Sequence, residues 1–338
     1  RDYLFGNSGD DSFILSGAVT ATTIDLGTGA DSLALGADAL NKGVTVTGSL
    51  TSTSITGGAG NDTILIKPLI TLGSLAAGAG IDSLYFSTTA KDTTIVGAAG
   101  ADTVSLAGGN DFLVLSGVSN DRVFAGSGAD TLSLTGSSAV RSTLYGGAGD
   151  DSIVLASDEL SVNQVQFGTG ADTVQVVKAS DLDTIGVDST IGGNKLVVFS
   201  ASVNSASVIG GSGKDSISFE GQVAGAGNLK TNSGNDSIAF SENSTVSLIN
   251  LAAGNDVVSA AKVLRTTGGS IVGGSGKDTF SINTLSTGYI KADTEVDSVN
   301  IYGSLIGSTI DFGAGNENFS LTVHASASTI KGGAGDDT

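Results

Sequence analysis

The residues best suited to chemistry are aspartates that recur behind glycine. The pattern is Gly-x-Gly-x-Asp followed by apolar residues at alternate positions: GGAGND ends at Asp62, GGAGDD at Asp151, and GGSGKD at Asp215 and again at Asp278. The aspartate falls at Asp11, Asp31, Asp62, Asp82, Asp102, Asp111, Asp130, Asp151, Asp172, Asp215, Asp236, Asp256 and Asp278. A carboxylate is a hard oxygen donor, and an open glycine turn directs backbone carbonyls toward the same point. Two such turns, one above the other, would surround a cation with oxygens, which suits the about six to eight oxygen ligands of calcium. The cation would also neutralise a column of like charges. Asp297 and Asp337 continue the series, and Lys195 and Glu317 hold the same place in degenerate copies. The stretch before Asp297 has no glycine, so a turn-capping role is expected there. Lys195 replaces the ligand outright, so a vacant position is expected beside it.

The elements that hold these aspartates follow from the spacing. Successive aspartates mostly stand about 20 residues apart, the period of a short repeat. The exceptions are a long step from Asp31 to Asp62 and a short one from Asp102 to Asp111. Two residues after the aspartate comes an apolar ladder that includes Phe13, Leu33, Ile64, Leu84 and Ile153, and four after it a second that includes Ile66, Phe86, Leu155 and Phe219. Small or polar residues lie between, a period of two that marks a strand with one buried face. Seven residues before the aspartate an aliphatic recurs, among them Leu4, Ile24, Ile55, Leu75, Ile95 and Val123, and predicts a second short strand. A unit of strand, glycine turn, strand and second turn cannot bury its apolar face alone. Stacked units can, each strand gaining a parallel neighbour one coil on. The expected fold is therefore all-β: a parallel β-solenoid, β-roll-like, with coils of about 20 residues and its Asp turns stacked along one edge. The long stretches at 36–53 and 107–121 read as insertions. No composition shift divides residues 1–338, which read as one continuous solenoid within a longer chain.

Composition narrows the function. There are 51 Gly, one Pro, and no Cys, Met or Trp. The 34 acids outweigh 15 bases for a net charge of −19, and only five of the acids are Glu. Such a chain is repelled by nucleic acid and by anionic membranes. No apolar run is long enough to span a bilayer. The absence of cysteine removes disulfides, thiolate sites and cysteine catalysis. His324 is the single histidine, so a serine triad or a two-histidine zinc site is hard to build. Gly213-Lys214 and Gly276-Lys277 mimic a phosphate loop, but Asp follows each Lys where Ser or Thr is needed. The chain does not read as an enzyme.

The turn and the strand after it resemble the calcium-binding nonapeptide of the repeats-in-toxin (RTX) family, Gly-Gly-x-Gly-x-Asp-x-apolar-x, over nearly the whole chain. The resemblance implies a right-handed parallel β-roll, calcium-dependent folding and export by a type I secretion system. In that family the nonapeptide follows directly on itself, and both edges of the roll bind calcium. Here only Asp102 and Asp111 are nine apart, which predicts one main calcium column. Sparse copies in an acidic, cysteine-free chain are also similar, more loosely, to cyanobacterial oscillin-like and bacterial surface-layer proteins.

The expected function is that of an extracellular structural protein at the cell surface. It would be a calcium-stabilised rod in a fibril, sheath or surface layer, with Ca2+ as its cofactor. Self-association is expected, and cell-surface polysaccharide is a further candidate partner. The alternative is the stalk or secretion module of a larger type I-secreted adhesin or enzyme, which a long non-repetitive domain in the full chain would favour.

Overall fold

A computed structural model describes residues 2–15, 19–29, 32–34, 42–57, 59–67, 70–71, 74–76, 78–91, 93–96, 100–156, 160–161, 164–178, 180–181, 185–187, 193–225 and 227–338. Asp31 lies outside the described residues. The chain divides into two compact units, Arg1–Gly168 and Thr169–Thr338. Among the described residues there is no helix, so no helix is long and apolar enough to cross a membrane. The sequence period sets the strands. In Thr63–Ile66, Ile64 and Ile66 point inward while Thr63 stays exposed. Phe280 and Ile282 do the same in Thr279–Ser286. Strand pairs from both units are parallel, as stacked coils require.

In the first unit two strand columns face each other. One runs Leu4, Ile24, Val46, Ile66 and Phe86, and then from Leu84 through Val104, Val123, Leu144 and Val165. The other runs Phe13, Leu33, Ile55, Leu75, Ile95, Leu115, Leu134 and Leu155. We call the turn from the first column to the second the front edge, and the return turn the back edge. The residues expected to form one ladder ahead of the aspartates are thereby divided. Leu4 and Ile24 lie in the first column, whereas Ile55, Leu75 and Ile95 lie in the second. The reason is arithmetic. The step from Asp31 to Asp62 spans one and a half coils, and the step from Asp102 to Asp111 half a coil. Residues 42–51 and 112–119 pair as regular strands and are not insertions, residues 36–41 lie outside the described residues, and the Asp turn changes edge between Asp102 and Asp111. Asp11, Asp111, Asp130 and Asp151 are therefore on the front edge, and Asp62, Asp82 and Asp102 on the back. The expectation of a single edge is corrected for this unit.

Among the described residues of the second unit the phase does not slip. One column runs Ile185, Val208, Leu229, Ile249, Ile271, Ile290, Ile310 and Ile330. The facing column runs Val176, Phe199, Phe219, Phe240, Ala260, Ile282, Ile301 and Leu321. Phe199, Phe219 and Phe240 stack with ring centroids 4.6 and 5.1 Å apart. The described Asp turns of the repeat in this unit, from Asp172 to Asp297, stand on its front edge. The return edge carries small hydroxyl residues, among them Ser244, Thr266 and Ser308, each buried.

Candidate metal centre

Each Asp turn ends where a strand begins, so its carboxylate enters the solenoid next to the first apolar rung. Asp62, Asp82, Asp102, Asp111, Asp130, Asp151, Asp172, Asp215, Asp236, Asp256 and Asp278 are all buried, none more than 3 % exposed. Asp11 is half-buried. One carboxylate oxygen has a fixed role, accepting the backbone N–H of the corresponding residue one coil earlier. On the back edge the bonds run Asp62 N to Asp82 Oδ1 (2.8 Å) and Asp82 N to Asp102 Oδ1 (2.9 Å). On the front edge Asp111 N donates to Asp130 Oδ1 (2.8 Å), and Asp130 N to Asp151 Oδ1 (3.0 Å). In the second unit the ladder runs from Asp215 through Asp236, Asp256 and Asp278 to Asp297, at 2.7 to 3.0 Å. A parallel, exposed ladder of asparagines runs beside it. Asn235 Oδ1 takes the N–H of Asn255, and Asn255 Oδ1 that of Lys277, both at 2.9 Å. Lys277, and likewise Lys214 beside Asn194, therefore enters the ladder through its backbone N–H.

The second oxygen differs. Oδ2 of Asp82, Asp130, Asp256, Asp278 and Asp297 is buried and has no hydrogen-bond partner. A buried carboxylate left this way is costly and takes either a proton or a cation. Burial pushes Asp82 and Asp278 up to about 6 and Asp256 and Asp297 up to about 7, against a backbone hydrogen bond that pulls the other way and neighbouring carboxylates that add to the rise. Asp130 and Asp236 are raised by burial as well.

The glycines supply the room. A Cβ on Gly146 would lie 2.6 Å from Asp151 Oδ2, so this glycine keeps open the space beside the carboxylate. Gly149, at φ +128°, lets the coils approach: a Cβ there would overlap the carbonyl oxygen of Gly128. Among the described residues no three His, Asp or Glu side chains converge on one point. A cation here would take its oxygens from one or two carboxylates and from turn carbonyls, a donor set that fits a hard ion such as calcium.

Four positions depart from the sequence expectations. Asp121 was missed; it extends the back edge, accepting Asp102 N at 2.8 Å on Oδ1 and Ser119 N at 3.0 Å on Oδ2. Burial pushes it up to about 6. Its turn keeps one glycine of the motif, Gly117, with Ser116 and Ser119 at the other two glycine places, and Asn120 takes the left-handed conformation at φ 62°. The available signal was its place one repeat after Asp102 and just ahead of the aliphatic Val123. Asp297, expected as a turn cap, stands in the column like its neighbours; Asp293 (φ 81°) and Glu295 (φ 80°) adopt the glycine conformations. Lys42 was also missed. It is buried and occupies the aspartate place one coil before Asp62, donating its N–H to Asp62 Oδ1 at 2.9 Å. Lys195 does the same before Asp215, at 3.0 Å, and its buried side chain contacts the Asp172 carboxylate and the Gly170 carbonyl.

Parallel coils with buried, stacked Gly–Asp turns define a parallel β-solenoid with stacked aspartates. The family model for the RTX calcium-binding nonapeptide repeat (4 copies) matches residues 1–17, 47–65, 87–117, 114–132, 141–158 and 321–338. The chain thus carries RTX calcium-binding repeats, and calcium is its ion. Residues 159–320 lie outside those segments but build the same ladder from Asp215 to Asp297. No curated protein matches the chain. RTX repeats are typical of secreted proteins, and solenoids of such repeats are typically non-catalytic.

Proposed function

We propose that this chain is a calcium-stabilised structural rod at the cell exterior, part of a fibril, sheath or surface layer. Asp11, Asp62, Asp82, Asp102, Asp111, Asp130, Asp151, Asp215, Asp236, Asp256, Asp278 and Asp297 would hold the ions, together with carbonyls of their glycine turns. The observation that carries this reading is the buried, unpartnered Oδ2, clearest at Asp82 and Asp256. Calcium would supply the charge that lets these carboxylates stay ionised inside the coil, so binding and folding are coupled. The structural role is supported by uniform repetition and by small or polar residues between the ladder positions, which suit polar lateral contacts.

The test has two parts. Dialysis against chelator should reduce the β signal in circular dichroism, and calcium should restore it and raise the melting temperature by more than about 10 °C. Equal signal and equal melting in both conditions would sink the calcium reading. Electron microscopy of the full-length protein should then show filaments or layers that loosen in chelator. Compact monomers at high calcium would sink the fibril reading.

A further inference from the structure

Among the described residues Lys195 is one of the largest fully buried side chains, at 2 % exposure. Its backbone behaves as an aspartate's does at that place, donating its N–H to Asp215 Oδ1. Its side chain reaches back one coil. Nζ lies 2.5 Å from Asp172 Oδ2 and 2.6 Å from the carbonyl oxygen of Gly170, with the Lys and Asp side chains 1 % and 0 % exposed. One carboxylate oxygen and one oxygen of the same glycine turn are the two donor types that the repeat offers a calcium ion. Here an ammonium takes both.

We propose that the Lys195 ammonium is a built-in cation occupying a calcium position between the coils of Asp172 and Lys195, so that this coil pair is charge-balanced and ordered without metal. The proposal rests on the reading of the Asp turns as calcium holders. An unpaired buried lysine would be strongly destabilising, whereas one paired with a buried carboxylate and a carbonyl is accommodated. The same ion pair balances the charge of the buried Asp172 carboxylate. The local register bears the exchange. Asp172 pairs with Lys195 and Val176 with Phe199 in one unbroken parallel ladder, so the substitution leaves the strands in step. The Asp172–Lys195 pair therefore interrupts the ion column with a fixed charge and gives the second unit a segment whose order does not vary with calcium. Lys42 holds the corresponding place ahead of Asp62 on the back edge of the first unit and is buried to the same degree.

Two measurements on the full chain test this. Calcium bound at saturation is counted by equilibrium dialysis and atomic emission for the natural chain and for Lys195→Asp. The substitution restores Gly193-Asn194-Asp and should add one ion per chain; an unchanged count overturns the proposal. Because Lys195→Asp can fail to fold, amide hydrogen exchange of the natural chain provides the second arm. Chelation should speed exchange in Ser237–Phe240 and Val257–Ala260 by at least tenfold. Thr173–Val176 and Leu196–Phe199 should change less than twofold, and Lys195→Met should remove that difference. Equal calcium dependence in both regions overturns the proposal. If no form of the chain binds calcium, the reading of the Asp turns fails, and this proposal with it.

Discussion

The backbone N–H of Asp256 donates to Oδ1 of Asp278 at 3.0 Å, one coil on, while Oδ2 of Asp278 is buried with no hydrogen-bond partner. The Asp278 carboxylate, like those of Asp82, Asp130, Asp256 and Asp297, is thus left half-satisfied. One oxygen sets coil spacing, and the other sets the demand for a positive charge. Stacking and cation affinity are two consequences of one side chain.

That arrangement fixes how the metal-free protein responds to pH. Asp256 and Asp297 are pushed up to about 7, and Asp82, Asp121, Asp215 and Asp278 to about 6, first by burial, from an unfolded value of 3.8. The folded chain therefore binds protons that the unfolded chain releases. Stability without metal is fully present below 3.8 and is lost as pH rises through 6 to 7. In chelator the melting temperature should be higher at pH 5 than at pH 8. With calcium bound the order should reverse, since protons compete for the same carboxylates. A chelated protein that melts at the same temperature at both pH values would contradict this.

Asp256→Asn separates the two roles of the carboxylate. The amide oxygen can still accept the N–H of Asp236, now at 2.7 Å from Oδ1, but the buried charge is gone. At pH 8 in chelator the variant should be more stable than the natural chain by about 1–3 kcal/mol. In calcium it should be less stable by a similar amount, because an ion loses a charged ligand. Denaturant melts in the two buffers decide the matter; a change of the same sign in both would count against the column.

Much of this was legible in the sequence because one period governs everything. The alternation at Ile64 and Ile66 gives strands, and its recurrence once per repeat gives parallel coils. The phase shift was not legible, because the long step from Asp31 to Asp62 reads as an insertion until pairing shows Ile55 on Leu33 and Val46 on Ile24. Asp121 and Asp297 were obscured for a different reason. Ser116 and Ser119 stand at glycine places of the motif ahead of Asp121, and Asp293 and Glu295 adopt the glycine conformations ahead of Asp297, so a pattern built on glycine is weak at both. Lys195 was legible as an odd residue, but only its buried contact with Asp172 shows where its charge goes.

The core of the second unit should depend on its phenylalanine stack. Phe219 lies between Phe199 and Phe240, at near-parallel interplanar angles of 8° and 4°, and is fully buried. Phe219→Ala removes both ring contacts and leaves a cavity that short strands on either side cannot easily close. A loss of about 3–5 kcal/mol is expected. Phe219→Leu should lose clearly less. Calcium-saturated denaturant melts measure both. A loss below about 1 kcal/mol for the alanine variant, well under the usual range, would show that the stack carries little.

The glycines of the motif should differ sharply in tolerance, in a way that depends on the neighbouring coil. Gly149 has φ +128°, and an added Cβ would overlap the Gly128 carbonyl oxygen of the preceding coil. Gly9 has a similar φ of +114° but nothing within 4 Å of the added atom. Gly9→Ala therefore bears only the backbone strain of a left-handed residue, about 1–2 kcal/mol. Gly149→Ala bears that strain and must also push two coils apart, which disturbs the Asp130–Asp151 hydrogen bond on the same turn. Its loss should exceed that of Gly9→Ala by at least about 2 kcal/mol. It should also weaken calcium binding, whereas Gly9→Ala should change affinity little. Calorimetric titration with calcium and denaturant melts of the two variants provide the comparison. Equal stability and equal affinity for both would mean that coil approach at Gly149 does not limit the stack.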